Sequence, residues 1–335
     1  MSQLAGFFAT SSRLMLLATA LGFMGLEYFL GRLAHHDTHD PFESAASLGI
    51  AAGQSVRAVE ATLLAIPFAF VYQHRQFDFS QTTPLALAGL FVATELAYYW
   101  QHRASHRIHW MWATHAVHHS ATKLNFTAAV RLGWTGNISG NFLFFLPLVW
   151  LGFHPFAVIG MLGVNLFYQF FIHTELVPRL GPLEWILNTP AHHRVHHASN
   201  PACLDRNYGG ILIVFDRMFR TFAEAPLGEA LRYGLVHGTS SYNPVRIALG
   251  EWRNMFRDFA RANLKGQERA VVEALCESNG ELPIADLAVK AGVDWSDPGQ
   301  GFKDVQRRLK LKLKKQLWEL QRLNNAAKLK ALKRG

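Results

Sequence analysis

The apolar stretches of the chain constrain its fold most strongly, because several are long enough to cross a lipid bilayer as helices. Five such runs lie near residues 14–30, 56–72, 84–101, 138–152 and 155–173. A spanning helix needs about 20 apolar residues, so the shorter runs are borderline. Half of the 335 residues are hydrophobic and only 17% are charged, which also favours a membrane protein. The sequence predicts an all-α, multi-pass integral membrane protein with about four to five transmembrane helices.

The last two apolar runs predict a helical hairpin, because only "GFHP", residues 152–155, separates them. A hairpin that crosses the membrane and returns places His102, which ends the third run, and His173, which ends the fifth, on the same face. The loop after His102 carries several Lys and Arg, whereas the hairpin turn has none. By the positive-inside rule this face, with a helical cap, is predicted to be cytoplasmic. The membrane would be the plasma or inner membrane of a bacterium, or the endoplasmic reticulum of a eukaryote.

Charge separates the C-terminal region from the hydrophobic body. The formal net charge is +9, yet residues 301–335 hold twelve Lys and Arg against two acidic residues, so the rest of the chain is close to neutral. We therefore expect N-terminal transmembrane helices over residues 1–83, a catalytic domain over 84–240 and a basic, helical cytoplasmic region over 245–335. A basic surface helix is a sufficient explanation of the last region, and no nucleic-acid partner is expected.

The histidines fall into three clusters: "HRASH" at residues 102–106, "HAVHH" at 115–119 and "HHRVHH" at 192–197. In the first cluster the two histidines lie one helical turn apart on one face. In the second, His115 and His118 are predicted to share a face, and His119 lies about 100° further round. His119 can share a face with His115 or reach a second metal. The third cluster repeats this spacing.

These histidines outnumber the ligands that one four- to six-coordinate ion can bind, so the sequence predicts two metal ions. Imidazole binds Zn, Cu, Fe and Ni, so the ligands alone do not name the metal. The predicted ligands are His102, His106, His115, His118, His119, His173, His193, His196 and His197.

Other polar residues beside the clusters are candidates for orienting ligands or binding substrate. Glu95 is an ionisable group inside the third apolar run, where a charge is costly and is usually functional. His109 follows the spacing of the first cluster, and His192 precedes the third. The full set is Glu95, Tyr99, His109, Asn125, Arg131, His192, Asp205, Asn207 and Tyr208.

The order of the clusters, followed by "NYGG" at residues 207–210 and "FDRMFRTF" at residues 215–222, resembles the fatty acid hydroxylase/sterol desaturase superfamily. Within it the similarity is greatest to the alkylglycerol monooxygenase and C5-sterol desaturase branch, and it covers about residues 85–225. Phe215 and Arg220 stand where the family usually has Trp and Gly. Neither departure removes a predicted ligand.

The resemblance implies a membrane-bound non-haem di-iron monooxygenase that hydroxylates a lipid C–H bond in a fatty acyl, alkylglycerol or sterol-like substrate. Two Fe ions would be the cofactors and O2 the co-substrate, and the family's ligands fall on the eight histidines of the three clusters, with His173 as a further ligand. The sequence shows no Gly-rich nicotinamide or flavin fingerprint, so neither is expected to be bound. Electrons would come from an external donor of the cytochrome b5, ferredoxin or rubredoxin type, or from a reduced pterin.

Two alternatives remain open at this stage. A lipid or sterol desaturase can use the same di-iron site, because the placement of the substrate decides whether C–H abstraction ends in hydroxylation or in a double bond. A non-catalytic membrane metal-binding protein belongs to a different class. A transport role would require ionisable residues spread through the spans, whereas these histidines gather at one face.

Overall fold

The computed structural model describes residues 2–79, 83–236, 241–263, 266–277, 286, 289–291 and 303–305. The described parts are helices joined by loops, with two isolated β-bridges and no strand. Contacts divide the chain into two compact units, Met1–Glu251 and Trp252–Gly335. Most of the predicted basic tail, residues 301–335, lies outside the described residues. Every predicted site residue lies in the first unit.

Twelve α-helices occur in the described ranges, with four short 3-10 turns between them. The α-helices are α1 (Ser2–Leu33), α2 (Pro41–Ala52), α3 (Val56–Gln73), α4 (Pro84–Arg107), α5 (His109–His119), α6 (Phe126–Ala129), α7 (Leu146–Leu151), α8 (Pro155–Ile172), α9 (Pro190–His197), α10 (Val214–Met218), α11 (Pro244–Asn263) and α12 (Gly266–Glu277).

The helix α8 is the one helix in the described ranges that is both long and apolar enough to cross a membrane. The predicted helix over residues 138–152 is wrong as a single element. A 3-10 turn, Asn141–Phe144, precedes the six-residue α7. Gly140 has a left-handed φ of 85°, which interrupts a helix, and Pro147 occupies the first turn of α7. A new helix therefore begins at Leu146. Six residues rise only about 9 Å, far less than a bilayer core.

The helix α4 is central because it packs against both α5 and α8. Thr83 caps its start by accepting the N–H of Ala86 at 3.3 Å, and Pro84 occupies its first position. Its buried face carries Glu95 and His102, two turns apart. Ile108, with φ −109° and ψ 119°, is extended and separates α4 from α5. This break lets α5 fold back beside the end of α4.

An apolar core joins α3, α4, α7 and α8 below the histidine clusters. Its buried members are Phe68, Leu90, Tyr98, Phe145, Leu148, Val149, Phe153 and Val158. The opposite side of α8 exposes large apolar side chains, including Phe156 at 79% and Phe167 at 55%. One face of this helix therefore packs inward while the other presents hydrocarbon outward.

Candidate metal centre

All nine predicted ligands converge in two adjacent groups. The five-histidine group contains His102, His106, His115, His119 and His196, and the four-histidine group contains His118, His173, His193 and His197. Within each group the ligand nitrogens lie within 4.8 Å of one another. The rings of His119 and His197 stack at 4.4 Å between centroids and bring the groups side by side. Each group can hold a metal ion.

Helical periodicity sorts the histidines between the groups. In α5, His115 and His119 serve the five-histidine group and His118 serves the other. Residues four apart differ by about 40° around a helix, whereas residues three apart differ by about 60° in the opposite sense. The structure thus places His115 and His118 in different groups, unlike the predicted shared face, and of the two alternatives for His119 it favours the one in which His119 lies with His115. Helix α9 repeats the division, with His196 in the five-histidine group.

The spacing of the ring nitrogens fits coordination of one ion by each group. Two imidazole nitrogens bound at about 2.0–2.1 Å to the same ion lie about 2.9–3.4 Å apart at angles of 90–110°. The observed Nε2 to Nε2 distances are 2.9 Å for His102 and His115, 3.2 Å for His115 and His119, 3.0 Å for His118 and His173, 2.9 Å for His173 and His193, and 3.1 Å for His193 and His197.

Two further atoms support the same fit. The Nε2 atoms of His106 and His196 are buried and have no hydrogen-bond partner within the described part of the chain. A buried polar atom without a partner is costly, and a metal ion would satisfy it. Burial also lowers the pKa of His196 to about 4. The neutral imidazole that results is the form that binds metal.

Backbone carbonyls of one loop, residues 205–208, orient two ligands. The Nδ1 of His102 donates to the carbonyl of Tyr208 at 2.8 Å, and the Nδ1 of His196 donates to the carbonyl of Arg206 at 2.8 Å. Because a carbonyl only accepts, each Nδ1 carries the proton and each Nε2 is free to bind an ion. Tyr208 therefore acts in the site through its backbone as well as through the ring that packs against these histidines.

The side chain of Asp205 reaches the same group. Its Oδ1 lies 3.7 Å from Nδ1 of His106, and its Oδ2 accepts from Arg107 at 2.7 Å. Asp205 and Asn207 both have left-handed φ values, 58° and 57°, a region that Asp and Asn adopt more readily than other non-glycine residues. The loop therefore turns sharply at both positions, on either side of Arg206.

Glu95 supports the centre from α4 without touching the ligands. It accepts from the side-chain amide of Asn165 at 2.5 Å and from two backbone N–H groups at residues 211–212, at 2.8 and 2.9 Å. Asn165 in turn accepts from Gln169, whose carbonyl receives the Nδ1 proton of His173 at 2.6 Å. The buried carboxylate thus connects α4, α8 and the segment that follows the loop of residues 205–208.

Asp216, a fully buried residue of α10, is a further member of the site that was not predicted from the sequence. Its carboxylate accepts from the N–H groups of Tyr208 and Gly209 at 2.8 and 2.7 Å and from the hydroxyl of Thr221 at 2.6 Å. Burial raises its pKa to about 6. The one acidic residue in "FDRMFRTF", residues 215–222, was the available signal.

Several predicted neighbours stabilise the surroundings of the site. Tyr99 meets the hydroxyl of Thr221 at 3.0 Å and packs against Tyr208. Asn125 caps α6, and Arg131 pairs with Glu43 at 3.3 Å.

The two remaining histidines and Asn207 occupy different positions. His109 is exposed at the start of α5, because the break at Ile108 ends the spacing that would have aligned it with the first cluster. His192 is buried beside Glu184, at 3.9 Å, and its carbonyl accepts from Asn207 at 3.1 Å.

A cavity of about 710 Å³ leads to the histidines. At one end it meets His115, His118 and His173, and at the other it reaches His154 and Pro155 at the hairpin turn. It therefore follows α8 along its length, about 27 Å for 18 residues. Its wall is mainly apolar, with uncharged polar groups between, and no Lys, Arg, Asp or Glu is among the lining residues of the described chain.

Residues 87–221 match the family model described as fatty acid hydroxylase, and all nine histidines lie inside this match. Alkylglycerol monooxygenases are similar: that of Xenopus tropicalis is 44% identical over 159 residues, 48% of this chain and 35% of the relative. That of Danio rerio is 48% identical over 152 residues, 45% and 33% of the two chains. Ornithine lipid hydroxylase OlsE of Rhizobium tropici is 30% identical over 178 residues, 53% and 51%.

The chain thus spans about a third of the length of these alkylglycerol monooxygenases and about half of the bacterial relative. No solved structure matches it. The family match confirms the resemblance predicted from the histidine clusters.

Proposed function

We propose that this chain, whose residues 87–221 match the fatty acid hydroxylase family, is a membrane-bound non-haem di-iron monooxygenase that hydroxylates a lipid. The observation that carries the proposal is the pair of histidine groups at the end of an apolar cavity. The nine histidines would be the ligands of two ions. Glu95, Asp205, Tyr208 and Asp216 would position them, and the other predicted neighbours would maintain the surrounding packing.

The reaction requires a redox metal, because no side chain provides an oxidant able to break an unactivated C–H bond. Zinc has no redox chemistry, whereas two iron ions, when bound, would activate O2 with two external electrons. The balanced reaction is RH + O2 + 2 e⁻ + 2 H⁺ → ROH + H2O. The contribution of the chain is to fix the ligand tautomers through carbonyls such as that of Tyr208, and to exclude water from the apolar cavity.

The cavity favours a lipid whose buried part is uncharged. The alkylglycerol monooxygenases act, by their names, on alkylglycerols, and they are more similar to this chain than the ornithine lipid hydroxylase is. The cavity wall offers no charged side chain that would neutralise an ionised head group. We therefore place the substrate among neutral ether or ester lipids, with the alkyl chain lying along α8.

A location in the membrane fits a substrate whose alkyl chain lies along α8. The exposed hydrocarbon on α8 would contact lipid, and the chain would cross the bilayer four to five times with the histidines under a cytoplasmic cap. The plasma or inner membrane of a bacterium, or the endoplasmic reticulum of a eukaryote, is the proposed location. Electrons would arrive at the cytoplasmic face from an external donor.

Mass spectrometry of a reconstituted reaction tests the proposal. The iron-loaded protein in detergent is given ¹⁸O2, a chemical reductant and either an alkylglycerol or an ornithine lipid, with His193→Ala as the control. We expect incorporation of one labelled oxygen into the alkylglycerol product, or its aldehyde, in the parent protein only. Loss of two hydrogens without added oxygen would identify a desaturase instead. An iron-loaded protein that changes neither lipid would refute an oxygenase function.

A further inference from the structure

The loop of residues 205–208 lies beside the five-histidine group, with Asp205 and Arg206 partly exposed and Asn207 and Tyr208 buried. On its inner side its carbonyls accept the Nδ1 protons of His102 and His196. On its outer side the carboxylate of Asp205 is 41% exposed, and the guanidinium of Arg107 that pairs with it is 65% exposed. One hydrogen bond to this loop from His102 and one from His196 therefore connect the five-histidine group to a segment whose Asp205 side chain is exposed.

Four arginines surround the outer side of this loop, and we call them the arginine patch: Arg103, Arg107, Arg206 and Arg220. The guanidinium of Arg206 donates to the carbonyl of Arg220 at 3.3 Å, and that of Arg103 donates to the hydroxyl of Tyr99 at 3.1 Å. Asp205 is the exposed carboxylate paired within the patch, so the patch has an excess of positive charge.

Arg220 shows that this charge is not a by-product of packing. Its side chain is exposed, and its backbone φ is 60°, in the left-handed region that favours glycine. An arginine at this position therefore strains the backbone without filling the core. A role for its charge at the surface explains why the strain is tolerated.

We propose that the arginine patch is the docking surface for an acidic one-electron carrier protein, and that electrons reach the five-histidine group through the loop of residues 205–208. This inference rests on the proposed oxygenase function. Each hydroxylation consumes two electrons and two protons with one O2, so two reduced carriers are oxidised in succession at the patch. Opposite charges steer such an encounter and fix its orientation, and added salt weakens both effects.

The test compares two reductants in stopped-flow experiments on the iron-loaded full chain in detergent. One is a reduced [2Fe–2S] ferredoxin of strongly acidic charge, and the other is a neutral hydroquinone. Arg220→Gly removes the charge and relieves the strained φ, so it preserves folding. Arg220→Lys keeps the charge. The matched control is Arg232→Gln, because Arg232 is 70% exposed and its bonds to Ser199 and Asn200 run through its backbone.

We expect the rate of reduction by ferredoxin to fall about two- to fivefold in Arg220→Gly, and to remain near the parent value in Arg220→Lys and Arg232→Gln. Rising ionic strength should slow the parent more than Arg220→Gly. All four proteins should react equally with the hydroquinone. Equal ferredoxin rates in the parent and Arg220→Gly, or a parent that only the hydroquinone reduces, would overturn the docking proposal while leaving hydroquinone-driven hydroxylation intact. If the hydroquinone reduces the iron but no lipid is oxidised, the oxygenase function itself fails.

Discussion

Removing one ligand should affect the two histidine groups unequally. His173→Ala leaves three imidazoles in the four-histidine group, whereas His106→Ala leaves four in the other. Four-ligand zinc sites bind with roughly 10–16 kcal/mol, so one ligand contributes on the order of 3 kcal/mol, or about a hundredfold in affinity. The group with four remaining ligands still fills a tetrahedral set, and its loss should be smaller.

The assay is the iron content per chain after dialysis against a weak chelator, measured by mass spectrometry of the metal. We expect about two ions in the parent protein, close to two in His106→Ala and close to one in His173→Ala. His109→Ala is the control, because this exposed histidine belongs to neither group. Thermal unfolding of each variant shows whether the fold is retained.

Two results would refute this reasoning. If both variants lost both ions together, the nine histidines would form a single site. If His106→Ala lost one ion while His173→Ala kept two, the division of ligands between the groups would be incorrect.

Four further predictions concern the surroundings of the centre. Arg220→Gly should raise the free energy of unfolding by about 1 kcal/mol because it relieves a left-handed φ, and an unchanged thermal midpoint would contradict the strain argument. The pKa of His196 is lowered from 6.5 to about 4 on burial, so its contribution to metal-free stability, about 3 kcal/mol, is present above pH 6.5 and lost as the pH falls towards 4. Thermal midpoints of metal-free protein between pH 7.5 and 4.5 measure this loss. Asp205→Asn should weaken metal binding about ten- to a hundredfold in a chelator competition, whereas Glu224→Gln, an exposed carboxylate paired elsewhere, should not. Leu162→Trp, which narrows the cavity midway along α8, should lower kcat/KM for long alkyl chains by about tenfold and spare short ones, as a chain-length series in the mass-spectrometric assay would show.

The convergence of the clustered histidines could be predicted from sequence because their spacing is local. Residues within one turn of a helix keep their relation wherever that helix lies, and His173 followed from its position at the end of the fifth apolar run, on the same predicted face as the clusters. The predicted shared face of His115 and His118 differs from the structure because the sequence does not show which side of α5 faces the partner helices. His109 does not lie beside the first cluster, as its spacing predicted, because one extended residue, Ile108, interrupts the helix between them.

The positioning contacts were harder to predict, for a different reason. The acceptors for His102, His173 and His196 are backbone carbonyls, which every residue has and no sequence pattern marks. Their placement depends on buried carboxylates of other elements, such as Glu95 and Asp216, whose partners are distant in sequence. The sequence predicted one helix where the structure has a 3-10 turn and the short α7. Hydrophobicity alone does not reveal such a break within an apolar run.

The division of α5 and α9 between the two groups would couple the binding of metal ions at both. An ion in the five-histidine group would fix the rotation of α5 through His115 and His119, and that of α9 through His196. The same rotations aim His118, His193 and His197, three of the four ligands of the other group. The first ion to bind would therefore meet the entropic cost of ordering both helices, and the second would find its ligands already arranged. In the parent protein, occupation of one group would therefore favour occupation of the other, while each group would keep its own ligands and could still hold an ion alone.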